Sequence, residues 1–191
     1  MAHAAVGTPG SFMARLNGER HEIAMRTFMV IVLGHWMEHF LQTFQIYVLG
    51  WPVPQARGML GLAFPSLVTS EVLHYGYAVV MLVALWALRP GFTGKQERWW
   101  WTLALGIQFF HHIEHALLQL QVFTGPFFGR PVPTSIAQLW VPRVELHLFY
   151  NTIVFVPMIV GMYYHLFPPE TETGRPQCAC AWHSRSIASP V

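Results

Sequence analysis

The chain has 191 residues, 53% of them hydrophobic and only 10% charged, against about 25% charged in an ordinary soluble domain. One domain is the expected size class. A net charge of +2 with no basic run argues against a nucleic-acid partner, and two cysteines close together, Cys178 and Cys180, exclude a disulfide framework.

Residues 1–23 are polar and lack the short apolar stretch of a cleavable signal, so they read as a mobile cytoplasmic leader. Four segments then reach the roughly 20 apolar residues that cross a bilayer: 24–49, 66–88, 99–123 and 144–167. Trp51-Pro52, Arg89-Pro90-Gly91, Gly125-Pro126 and Pro168-Pro169 punctuate their ends, and Trp99 to Trp101 open the third as an interfacial aromatic belt would. Two short apolar pieces, 59–64 and 136–141, precede Pro65 and Pro142; they lie on the membrane surface or extend the next helix, with each proline at a kink. Arg15, Arg20, Arg26, Arg89, Lys95, Arg98, Arg175 and Arg185 flank one side, and only Arg57, Arg130 and Arg143 the other. That bias predicts a multi-pass protein of the cell membrane with both termini cytoplasmic. The tail, 168–191, reads as disordered. Its Cys178-x-Cys180-x-x-His183 is a weak soft-metal pattern.

The chain repeats itself. His35, Glu38, His39 and Gln45 match His111, Glu114, His115 and Gln121 at an offset of 111 − 35 = 76, and Pro52-Val53-Pro54 returns as Pro131-Val132-Pro133. Each copy continues into a helix that opens with Glu and His, Glu71 with His74 and Glu145 with His147. The expected fold is therefore all-α: an integral membrane four-helix bundle made of two repeated helical hairpins, 24–89 and 98–167. Parallel repeats place the pseudo-two-fold axis along the membrane normal.

Ionisable groups at membrane depth are costly, and they face the bundle interior in pairs. At 100° per residue His35, Glu38 and His39 share one face, as do His111, Glu114 and His115. Glu71 and His74 are 60° apart, whereas Glu145 and His147 are 200° apart, so His147 pairs more naturally with Asn151. All four helices meet at one depth in the outer half of the bilayer. Imidazole with carboxylate suits a divalent metal such as iron, zinc or copper. The expected ligands are His35, Glu38, His39, Glu71, His74, His111, Glu114, His115 and His147, around one or two ions. Glu145, Asn151 and His112 are weaker candidates, His112 as an outer partner. His165 reads as interfacial, the other glutamines (Gln42, Gln108) and Gln45 and Gln121 as helix-interface or outer-shell groups, and His21 carries no signal.

A histidine-rich four-helix membrane centre resembles the histidine-box integral-membrane di-iron hydroxylases and desaturases. The resemblance implies a di-iron oxidoreductase that acts on a lipid or other hydrophobic molecule, with a redox partner. HxxEH is also the pattern of inverzincin proteases, with the histidines on zinc and Glu38 or Glu114 as base. The same residues leave other classes open: a b-type haem electron carrier with paired axial histidines, a metal-ion or proton transporter, and a structural subunit of a membrane complex held by polar helix contacts.

Overall fold

The computed structural model describes residues 11–172 and Cys180. Among them every regular element is helical: α1 (Phe12–Leu16), α2 (His21–Tyr47), α3 (Leu60–Ala63), α4 (Ser66–Thr69), α5 (Glu71–Leu88), α6 (Lys95–Thr124) and α7 (Arg143–Leu166), with short 3₁₀ turns between and after them. The all-α expectation holds.

The element ends follow local chemistry. Ser11 caps α1 by accepting from the Ala14 amide, and Asn17 then ties this part of the leader to the far end of α5, donating to the Ala87 carbonyl and accepting from the Gly91 amide. The described leader residues are therefore docked. Segment 66–88 is not one helix. Ser70 takes an extended backbone, accepts from the Leu73 amide, and starts α5 afresh at Glu71. Pro142 likewise caps α7 from outside and kinks nothing. The third long helix begins four residues early because the Glu97 carboxylate reaches back to the Gly94 amide.

The four long helices form a ring in which α2 touches α5 and α7, and α6 touches α5 and α7. Two of them, Glu71–Gly91 and Arg143–Leu166, are long and apolar enough to cross a membrane. The other two are longer still, 27 and 30 residues, but their inward stripe of His, Glu and Gln lowers their apolarity. Many buried side chains are polar and many large apolar ones are exposed. On α6 the buried set includes Glu97, Gln108, His111, Glu114, His115 and Gln121, while Trp99, Phe109, Phe110 and Phe123 face out.

Along the bundle an apolar layer holds the middle and the end nearest α1. Met25, Phe28, Val32, Leu85, Phe92, Trp101 and Met158 pack there, with the Trp101 indole donating to the Leu85 carbonyl at 2.8 Å. The histidines of both HxxEH copies lie on one side of this layer, and His21, Glu97 and His165 on the other.

The repeat is physical as well as sequential. Gln45 donates to the Gly58 carbonyl and accepts from the Gly58 amide (3.0 and 2.9 Å); Gln121 does the same to Thr134 (2.8 and 3.1 Å), in each case across 13 residues. A buried side-chain amide thus closes the loop after α2 and the loop after α6 with a two-way backbone pairing. The glutamines are loop clamps, a role more specific than the helix-interface one their position suggests.

Candidate metal centre

Four helices each deliver histidine to one place. In α2 the Nε2 atoms of His35 and His39 lie 3.1 Å apart, and in α6 those of His111 and His115 also lie 3.1 Å apart. The i,i+4 spacing brings the rings together. Two imidazoles bound to one ion at about 2.0–2.1 Å would hold their nitrogens about 3.0–3.4 Å apart, so each pair is already at the spacing of neighbouring ligands. From α5 and α7 come His74 and His147. Each is anchored through Nδ1 to the carbonyl four residues back, His74 to Ser70 at 3.0 Å and His147 to Arg143 at 2.7 Å. Fixing Nδ1 on a carbonyl leaves Nε2 as the free donor and orients the ring, the usual outer-shell device at metal sites. His147 Nε2 is buried with no hydrogen-bond partner.

The rings interlock between repeats. His39 lies parallel to His147 at 5.5 Å, and the pseudo-symmetric partners His74 and His115 lie parallel at 6.2 Å. His74 meets His147 across the axis at 6.0 Å. The tightest group is His111, His115 and His147, all buried, with ligand atoms within 4.8 Å of one another. The depth matching read from the sequence therefore brings all six expected histidines together.

The carboxylates go elsewhere. Glu38 accepts from the Met59 and Leu60 amides, and Glu114 from the Ala137 amide at 3.0 Å. Both staple the loop that follows their own helix, so their oxygens are committed to backbone. Gly58 fits this arrangement: its positive φ of 69° suits glycine, and a Cβ there would overlap the Glu38 carboxylate. Glu71 pairs with Arg143 at 2.5 Å and keeps its second oxygen buried and unpartnered beside the cluster. Glu145 turns away to the Tyr47 hydroxyl, as its 200° offset from His147 implied. His112 stacks on Tyr75 outside the cluster, and the Asn151 amide nitrogen has no partner. Among the described residues no carboxylate is hydrogen-bonded to any of the six rings. The donor set is imidazole.

Two tyrosines were missed. Tyr77 stacks on His35 at 3.6 Å between ring centres, and Tyr150 on His111 at 4.6 Å. The signal was present: His74-x-x-Tyr77 recurs as His147-x-x-Tyr150, offset by 150 − 77 = 73. Each tyrosine covers the first histidine of its own hairpin's HxxEH.

Two cavities meet at the cluster and share His39 and His74. One, of about 400 Å³, opens between α2 and α5 past Val30, Ile31, Leu67 and Leu73. The other, of about 430 Å³, opens toward the loops past Arg57, Thr69, Glu71 and Arg143.

His165 and His21 depart from expectation at the opposite end. His165 is buried, with its Nδ1 2.7 Å from Glu97 and its Nε2 2.7 Å from the Cys180 sulfur. His21 is buried beside it, 5.2 Å between ring centres. Burial first, and then His165, lower the His21 pKa to about 4 against the opposing pull of Glu97, so its ring is neutral at physiological pH. Cys178 and His183 of the tail motif lie outside the described residues. No protein-family model, curated protein or solved structure matches the chain.

Proposed function

We propose that this chain is a four-span membrane metalloprotein whose six histidines hold one or two ions, and that it is an oxidoreductase acting on a hydrophobic molecule. The observation that carries the reading is the repeated Nε2 pair at 3.1 Å, faced by a histidine anchored through Nδ1 on the adjacent helix. His35, His39, His74, His111, His115 and His147 are the ligands. Neutral imidazole suits iron, copper and zinc, and of these iron and copper supply one-electron and oxygen chemistry. The loss of Glu38 and Glu114 to the loops takes the donor set away from the carboxylate-rich di-iron pattern of bundle proteins and favours a histidine-only centre.

Membrane residence is supported by two sufficiently apolar helices and by polar stripes turned inward beneath large outward apolar side chains. With the basic residues gathered at one end, both termini face the cytoplasm. The apolar cavity between α2 and α5 gives a bilayer-dissolved substrate a way to His35, His39 and His74. Tyr77 and Tyr150 orient His35 and His111 by stacking. A porphyrin needs a flat gap with one imidazole on each face; here rings from four helices meet edge and face at 5.1–6.2 Å, and the haem reading loses its slot.

Elemental analysis of detergent-purified protein tests the proposal. The expected result is stoichiometric iron or copper that falls sharply in the combined His39→Ala, His115→Ala variant. A metal-free protein indifferent to both substitutions would sink it. One observation favours a second reading. The loop-side cavity carries the charged side chains of Arg57, Glu71 and Arg143 and reaches His39, His74 and His147, which suits a metal-ion or proton path. Flux of those ions into vesicles containing the protein, lost in the same variant, would select transport over oxidation.

A further inference from the structure

We propose that His21, His165 and Cys180 form a second metal site, for a soft or borderline cation such as Zn²⁺ or Cu⁺, which opens when Cys180 is reduced. The three residues are 0%, 3% and 5% exposed, and their ligand atoms lie within 4.8 Å of one another. The site is built from elements far apart in sequence: the start of α2, the end of α7 and the tail. The start of α6 adds Glu97, which accepts from His165 Nδ1 at 2.7 Å and is itself held by the Gly94 amide. This is the carboxylate–histidine arrangement that orients a metal ligand and raises its basicity. The other ring nitrogen of His165, Nε2, lies 2.7 Å from the Cys180 sulfur. Nitrogen and thiolate ligands on one tetrahedral ion stand about 3.5 Å apart, so these two atoms are close enough to share an ion after the sulfur moves back by under about 1 Å once its disulfide is reduced.

His21 supplies the independent observation. Its ring is fully buried, and neither nitrogen has a hydrogen-bond partner of normal geometry. Buried polar nitrogens are ordinarily satisfied. Gly91 makes room for it, since a Cβ at that position would overlap the imidazole. Phe92 closes the remaining side, edge-on at 5.8 Å. A fully buried ring with no partner on either nitrogen, set beside another histidine and a sulfur, is a ligand in waiting. Two imidazoles with one thiolate match zinc and monovalent copper.

Cys180 is disulfide-bonded in the structure. A dithiol or glutathione-class reductant converts that disulfide to two thiols and is itself oxidised to a disulfide. The cation then displaces the Cys180 thiol proton to give the metal thiolate. The end of the bundle that carries this cluster is the one the basic residues assign to the reducing cytoplasm. The site stands apart from the six-histidine centre: His21 precedes His35 by 35 − 21 = 14 residues, about 21 Å along a helix.

Cobalt(II) binding to the full-length protein in detergent tests it. A thiolate ligand gives a sulfur-to-cobalt charge-transfer band that the all-imidazole centre cannot produce. After reduction with a phosphine, removed before cobalt is added, the band should appear. It should be absent from unreduced protein and from Cys180→Ser, and cobalt affinity should fall at least tenfold in His21→Ala. No band in reduced wild type would overturn the proposal. So would a band that His21→Ala and Glu97→Gln leave unchanged, since the tail alone would then be binding. Because those variants remove buried groups and risk misfolding, a wild-type measurement runs alongside: Zn²⁺ should slow alkylation of reduced Cys180 about tenfold, and an unchanged rate would also overturn it. The six-histidine centre can fail its own metal analysis without affecting either result.

Discussion

The second hairpin buries His111, His115 and His147 to 5%, 4% and 6% exposure. In the first hairpin only His39 is buried, and His35 and His74 stand half open. The same contrast extends to three further pairs: Glu114, Gln121 and Tyr150 are more enclosed than Glu38, Gln45 and Tyr77. The residue just before each HxxEH shows one cause. It is Gly34 in the first copy, with open space where a Cβ would be, and Phe110 in the second, an outward-facing ring whose inner edge lies beside Tyr150, 6.3 Å between ring centres. Helices α6 and α7 pack closely, while α2 and α5 touch sparsely and leave the apolar cavity between them. One set of ligands therefore occupies two environments. On the proposed reading, the closed half would hold an ion and the open half would let something reach it.

Ligand deletion should show this contrast most strongly. His147 touches histidines of both hairpins, so His147→Ala should weaken metal binding by about 100-fold or more. His74→Ala in the open half should cost about tenfold, both measured by competitive metal titration. Equal losses would erase the distinction. Stability should follow the same order. Gln121→Leu leaves a more deeply buried backbone pair unsatisfied and should cost about 2–3 kcal/mol, and Gln45→Leu about 1–2 kcal/mol, by denaturant unfolding in detergent. Gly34→Phe copies the second hairpin into the first. It should reduce binding of a fluorescent fatty-acid analogue about tenfold while leaving metal content unchanged; parallel loss of metal would show that the cavity and centre are not separable. Glu38→Gln and Glu114→Gln remove charge-assisted bonds to loop amides. Each should lower stability by about 1 kcal/mol and leave bound metal unchanged; a fall in metal would return the carboxylates to the ligand set.

Much of this arrangement was legible in the chain, and the limits have physical causes. The HxxEH copies brought four histidines together by i,i+4 spacing, and matched depth added His74 and His147, because both are helical geometry. Glu145 was separable from His147 by the same 100° rule. Glu38 and Glu114 were not, because a carboxylate on the inward face of a helix can turn to a metal or to the amides of the next loop, and loop conformation is not periodic. Tyr77 and Tyr150 were overlooked because HxxY repeats at an offset of 73, not 76, after the loops differ. His21, Glu97 and His165 meet at the ends of three helices, a convergence no local spacing records. Ser70 broke the second segment because its side chain satisfies a free amide, which outweighs the apolar continuity around it.

The glutamine clamps also act as a ruler. Thirteen residues separate the gripping amide from the gripped backbone in both copies, yet Pro-Val-Pro sits four residues before the grip at Gly58 and one before it at Thr134. Length is held and wording is free. Segments 46–57 and 122–133 are thus cassettes of equal length, so that exchanging them should carry Arg57 from the loop after α2 to the loop after α6 and leave the histidines beneath in place.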